Sequence, residues 1–185
     1  MNPFQAILIL SAAFLAVFGE TVLSAPRAWL GAQIDLLPAL MVFAALNAGL
    51  TTIAALAIFG GLWLDTFSAN PPGISILPLM LVGFPVYLRR DLILRDLPFA
   101  QFVLGAAASA AVPALTLLML LSGSTEPLLG WGTLWQWLVM TAGGAIATPF
   151  IFALMDACNG ALGYKLRTEV SFRSDREIRH GRILK

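Results

Sequence analysis

Charge, cysteine and histidine are scarce in this 185-residue chain, and each scarcity removes a class of chemistry. A single cysteine, Cys158, leaves no intrachain disulfide to form, and its expected inner-leaflet position suggests a reduced thiol. The only histidine, His180, lies in a polar tail beside basic residues, so a His-centred triad or a histidine metal site has no material. P-loops, nucleotide-binding glycine fingerprints and metalloprotease helices are missing as well. Catalysis, cofactor binding and metal binding therefore have no candidate residues. Charged residues make up 11% of the chain against 59% hydrophobic, with mean hydropathy +0.86. A soluble domain needs a more polar surface than that, and the composition points to an all-α integral membrane protein.

Basic residues are also missing from most of the chain. The first 88 residues hold one, Arg27; Arg89, Arg90 and Arg95 form a cluster, and seven of the eleven lie in the last 21 residues. Six apolar segments can be drawn, at 4–23, 36–49, 51–64, 74–88, 99–121 and 134–155. The second, third and fourth are short for a span of about 20 residues. The first reads as a retained span: it has no basic leader, and the Leu-Ser-Ala sequence ending at Ala25 is a poor cleavage site. Residues 47–51 form nearly a direct reversal, so fusing the second and third segments gives a five-span alternative.

Charge favours six spans with both termini cytoplasmic. The 89–96 loop and the tail from Lys165 then share the inner side, as the positive-inside bias requires. Trp29, Trp63, Trp131, Trp135 and Trp137 fall near the outer interface as one aromatic belt. The expected organisation is a compact six-helix transmembrane domain over residues 1–164 and a basic cytoplasmic tail over 165–185. In that tail Arg173, Arg176, Arg179 and Arg182 recur every three residues, and with Arg89 and Arg90 they are candidates for cytoplasmic docking as well as for setting topology.

Small residues recur where helices would approach. Gly105 and Ser109 in the fifth segment, and Gly143 and Ala147 in the sixth, are candidates for either internal helix packing or a partner face. Pro113 and Pro149 should kink their helices, with Thr116 and Thr148 near the freed backbone groups. Among the few acidic residues, Asp35 is expected to cap the second helix and Glu20 to pair with Arg27 or be solvated. Asp156 is expected in the inner headgroup region. Asp65 stands out. It ends an apolar helix just after Gly60-Gly61 and before an Asn70-Pro71-Pro72-Gly73 turn, where it should accept hydrogen bonds from Thr66, Ser68 or the turn amides near Gly73.

The run Gly60-Gly61-Leu62-Trp63-Leu64-Asp65, followed by Ser68, Pro72-Gly73 and an apolar stretch to Val82-Gly83, resembles the MreD family of bacterial rod shape-determining membrane proteins. That family's pattern is a Gly-rich third helix ending in Gly-x-x-x-Asp, then a glycine-containing turn. The Asp35-Leu36-Leu37-Pro38 entry is similar to the family's start of the second span, with Asp and Pro in reversed order. The resemblance implies a fold similar to the substrate-binding subunits of energy-coupling-factor transporters, and a non-enzymatic scaffold of the cell-elongation machinery in the inner membrane. Its implied partners are MreC directly, with MreB and the pair of RodA and penicillin-binding protein 2 as complex members. The alternative is a subunit binding a small, vitamin-like molecule for a transporter of that kind.

Overall fold

The computed structural model describes residues 3–22, 29, 31–68, 70–93, 95, 97–122 and 130–161. Six helices account for most of them: α1 (Pro3–Val22), α2 (Leu37–Asn47), α3 (Leu50–Phe67), α4 (Ile76–Leu88), α5 (Pro98–Ser122) and α6 (Trp131–Ala161). A short 3-10 turn, Arg90–Leu92, follows α4, and no strand occurs among the described residues. Each expected apolar segment corresponds to one helix. Four of them, α1, α3, α5 and α6, are long and apolar enough to cross a bilayer, whereas α2 and α4 are shorter apolar helices. The chain is a helical membrane protein. The basic tail, including Arg173, Arg176, Arg179, Arg182 and His180, lies outside the described residues, as does Arg27.

The short helix sits in the middle. Every residue from Leu37 to Leu46 is buried, and α2 contacts all five other helices. Around it run α1, α3, α4, α5 and α6, each touching the next. A helix that is apolar on every side is stable only where all its sides are covered, and α2 meets that condition. Its Phe43 ring packs edge-on against Phe152 of α6, with centroids 5.0 Å apart. The outer helices show the inverse of a soluble pattern. On α1 the stripe Ile9, Ala13, Val17 is buried while Ile7, Leu15 and Phe18 are exposed, since lipid and not water bathes the outer face.

Two junctions follow from local sequence. Residues Ala48 and Gly49 separate α2 from α3, and the Gly49 carbonyl accepts the Thr52 and Ile53 amides that begin the next helix. This is the tight reversal expected at 47–51. Between α5 and α6 the contact is made by small residues: a Cβ on Gly105 would collide with Thr148, and one on Gly144 with Ser109. Gly143 faces Ile34, where an added Cβ would come within 2.8 Å, and Ala147 is half-buried against the core. Gly105, Ser109, Gly143 and Ala147 thus pack inside this chain.

Candidate functional site

A helix buried on all sides must find partners for its terminal amides and carbonyls, because hydrocarbon offers none. The two ends of α2 solve this with side chains from other elements. At its start, the Leu36 amide donates to Glu20 Oε1 at 2.7 Å and the Leu37 amide to Asp35 Oδ1 at 2.9 Å. At its finish, Arg90 donates to the Ala48 carbonyl at 3.3 Å, Gln5 to the Asn47 carbonyl at 3.1 Å and Arg95 to Asn47 Oδ1 at 3.4 Å. Anionic groups meet the positive end of the helix dipole and cationic groups the negative end.

These contacts bear on two expectations. Glu20 is not simply solvated: it turns inward from the end of α1 and accepts the Leu36 amide, while the pairing expected with Arg27 lies outside the described residues. Its Oε2 is buried with no hydrogen-bond partner. Arg90, exposed at its side chain, also has contacts within the chain. Besides reaching Ala48 it lies over the Tyr87 ring at 4.5 Å and 3.9 Å from Asp91, whereas Arg89 is exposed. Asp35 takes the Leu37 amide, although the residue in the cap position is Leu36 and bears no side-chain cap. Burial pushes the Asp35 carboxyl up to about 6, against the opposing pull of the Leu37 amide. Asp156 is exposed on α6.

Asp65 forms the second polar centre at this end. Its side chain is 2% exposed, and it accepts the Gly73 amide at 2.7 Å, the Ser75 amide at 3.2 Å and the Ser75 hydroxyl at 2.5 Å. Gly73 has φ +91°, a backbone state that favours glycine, in the turn whose Gly73 and Ser75 amides both reach the carboxylate. Thr66 and Ser68 do not reach the Asp65 side chain. Their hydroxyls donate to backbone carbonyls, Leu62 and Asp65 respectively, following the helix end. Pro72 is exposed at the turn. One turn before Asp65, a Cβ on Gly61 would stand 3.1 Å from the Ile76 backbone, so only glycine lets α3 and α4 approach this closely. Gly60 faces the Leu37 side chain instead.

Between the C-terminal half of α5, the N-terminal part of α6 and Asp35 lies a cavity of about 620 Å³. Asp35, Asn70, Ser75 and Gln136 line it together with an otherwise largely apolar wall. Gln136 exchanges two hydrogen bonds with the Gln33 backbone, at 3.1 and 3.0 Å, tying the α2 approach to α6. Pro113 cannot donate to the preceding turn, and beside it the Trp137 indole donates to the Ala110 carbonyl at 2.9 Å. Thr116 and Thr148 bond the carbonyls four residues back, at 2.9 and 2.7 Å. The Glu20–Asp35 convergence, the Gln33–Gln136 pair and the role of Trp137 carried no spacing signal in the sequence. Among the described residues no three of His, Cys, Asp and Glu gather as a metal site. In comparison with known proteins, no family model, curated protein or solved structure matches this chain.

Proposed function

We propose that this chain is a non-enzymatic scaffold of the bacterial cell-elongation machinery, of the MreD type. It resides in the inner membrane as six spans with both termini cytoplasmic, and it supports rod shape and lateral peptidoglycan synthesis by binding MreC. MreB and the synthase pair of RodA and penicillin-binding protein 2 belong to the same assembly. The observation that carries this reading is the use made of the motif behind the resemblance. Gly61 and Asp65 work on one junction, where α3 meets α4, so the Gly-x-x-x-Asp pattern has a definite structural task here.

The filled centre also favours binding through outer surfaces. A vitamin-like ligand of an energy-coupling-factor type subunit would need a chamber with several convergent polar groups, whereas α2 fills the bundle centre with apolar side chains and the cavity beside it has a largely apolar wall. Because Gly105, Ser109 and Gly143 are engaged within the chain, the surface for MreC has to be sought on lipid-facing helices such as α1, with Ile7, Phe14, Leu15 and Phe18 outward. Tagged chain extracted from its host in mild detergent should bring down MreC, and its depletion should round the cells. Rods that persist on depletion, with no MreC recovered, overturn the proposal.

A further inference from the structure

The cavity beside α2 has hydrocarbon walls and one charged feature. Val112, Leu117 and Leu120 of α5 and Leu134, Trp137 and Met140 of α6 supply most of the wall. Set among them is Asp35, only 5% exposed. Its Oδ1 takes the Leu37 amide, and its Oδ2 has no hydrogen-bond partner among the described residues. Glu20 stands beside it on the neighbouring amide, with Oε2 buried and unpartnered. Two carboxyl groups thus share one helix start, whose partial charge of roughly +0.5 offsets only part of the charge of an ionised Asp35. The basic residues among those described, Arg89, Arg90 and Arg95, lie beyond the far end of α2, about 16 Å away by helix rise.

We propose that this cavity binds a small hydrophobic organic cation, whose ammonium group donates to the open Asp35 oxygen while its hydrocarbon body lies between α5 and α6. Volume agrees: about 620 Å³ falls within the range of roughly 300 to 1,000 Å³ usual for small-molecule sites. Chemistry narrows the class further. An anion would meet like charge in a medium that screens poorly, and a neutral apolar molecule would leave a carboxylate oxygen sealed in hydrocarbon without a donor. Trp137, the one aromatic residue on the wall, has its indole fixed by the bond to Ala110 and presents a surface that favours cations. The site is separate from the scaffold role and holds whether or not MreC binds.

The test uses the full chain in neutral maltoside micelles and three rigid probes of one shape: 1-adamantylmethylammonium, 1-adamantylmethanol and 1-adamantanecarboxylate. Calorimetric titration should show the cation binding about tenfold more tightly than the alcohol, a difference of ~1.4 kcal/mol, and the carboxylate weakest. Asp35→Asn keeps an oxygen for the Leu37 amide and should remove the preference for the cation while leaving alcohol binding in place. Ala114→Phe, at an exposed position on the cavity wall, should block all three probes without disturbing the carboxylates. Equal affinity for cation and alcohol overturns the proposal. So does a cation preference that survives Asp35→Asn, or, should that variant fail to fold, cation binding that survives Ala114→Phe.

Discussion

Asp65 holds Ser75 twice, through its hydroxyl on one carboxylate oxygen and its amide on the other. With the Gly73 amide added, one buried carboxylate satisfies three donors at the entry to α4. A polar side chain at the end of an apolar helix is thereby held by hydrogen bonds from a turn. Gly61 supplies the other half of the arrangement, since close passage of the Ile76 backbone brings the turn within reach of Asp65.

Asp65→Asn should weaken this junction and Asp65→Leu should break it. Asn retains one acceptor oxygen, whereas Leu leaves the Gly73 and Ser75 donors unmet, at about 1 to 3 kcal/mol for each buried group. Thermal unfolding in micelles, with membrane abundance measured alongside, should rank the proteins wild type, Asn, Leu. An Asn variant as stable as wild type but without function would shift the role of Asp65 from architecture to charge.

The paired glycines should respond differently to the same methyl group. At Gly61 an alanine Cβ presses on the backbone of Ile76, which cannot move without displacing the α4 entry. At Gly60 it meets the end of the Leu37 side chain, which can shift its rotamer. Gly61→Ala should therefore lower the melting temperature clearly more than Gly60→Ala; equal losses would show that the backbone approach is not the constraint.

Orientation can be read with single cysteines in a Cys158→Ser background. Gly130 and Leu92 are both exposed and lie at opposite ends of the helices. A membrane-impermeant maleimide applied to intact spheroplasts should label Gly130→Cys and spare Leu92→Cys until the membrane is opened. Labelling in the opposite sense would invert the proposed topology.

Acidification should stabilise the fold through Asp35. Its carboxyl is raised from 3.8 to about 6, so the folded chain binds this proton more tightly than the unfolded chain does. Stability consequently rises as pH falls through about 6 and levels off below the unfolded value. Glu20 of α1 holds the neighbouring Leu36 amide, and Asp65 of α3 bonds Ser75, which lines the same cavity as Asp35, so the comparison must be made against Asp35→Asn. That variant should show a smaller gain between pH 7.5 and pH 5; superimposable profiles would remove Asp35 as the cause.

The helices were legible because hydropathy reports burial in protein or lipid without needing to know which. The reversal at Ala48 and Gly49 was visible for the same reason, as a break between apolar runs. Contacts between distant segments were not. Glu20 and Asp35 are joined across a connection whose path no periodicity fixes, and their meeting depends on where α2 docks. Gly105 and Ser109 carry a small-residue signal, but only the register of α5 against α6 assigns them to Thr148 and Gly144 and not to another protein. Arg90 reads as one more cytoplasmic charge until the end of α2 is seen beneath it.

The shortness of α2 bears on how the protein is made. At 11 residues it extends about 16 Å, roughly half of a hydrocarbon layer about 30 Å thick. Alone in lipid it would leave Asn47 and the unpaired backbone at its ends short of water, so it cannot be left in the bilayer as an independent insertion unit. With a two-residue link to α3, the two helices are expected to leave the translocation channel as one hairpin. The arginines that receive its far end are synthesised some 40 residues later, and α6 later still. Until those segments arrive the hairpin is an unfinished client, and a nascent chain stalled before Arg90 should be the form most dependent on a membrane chaperone.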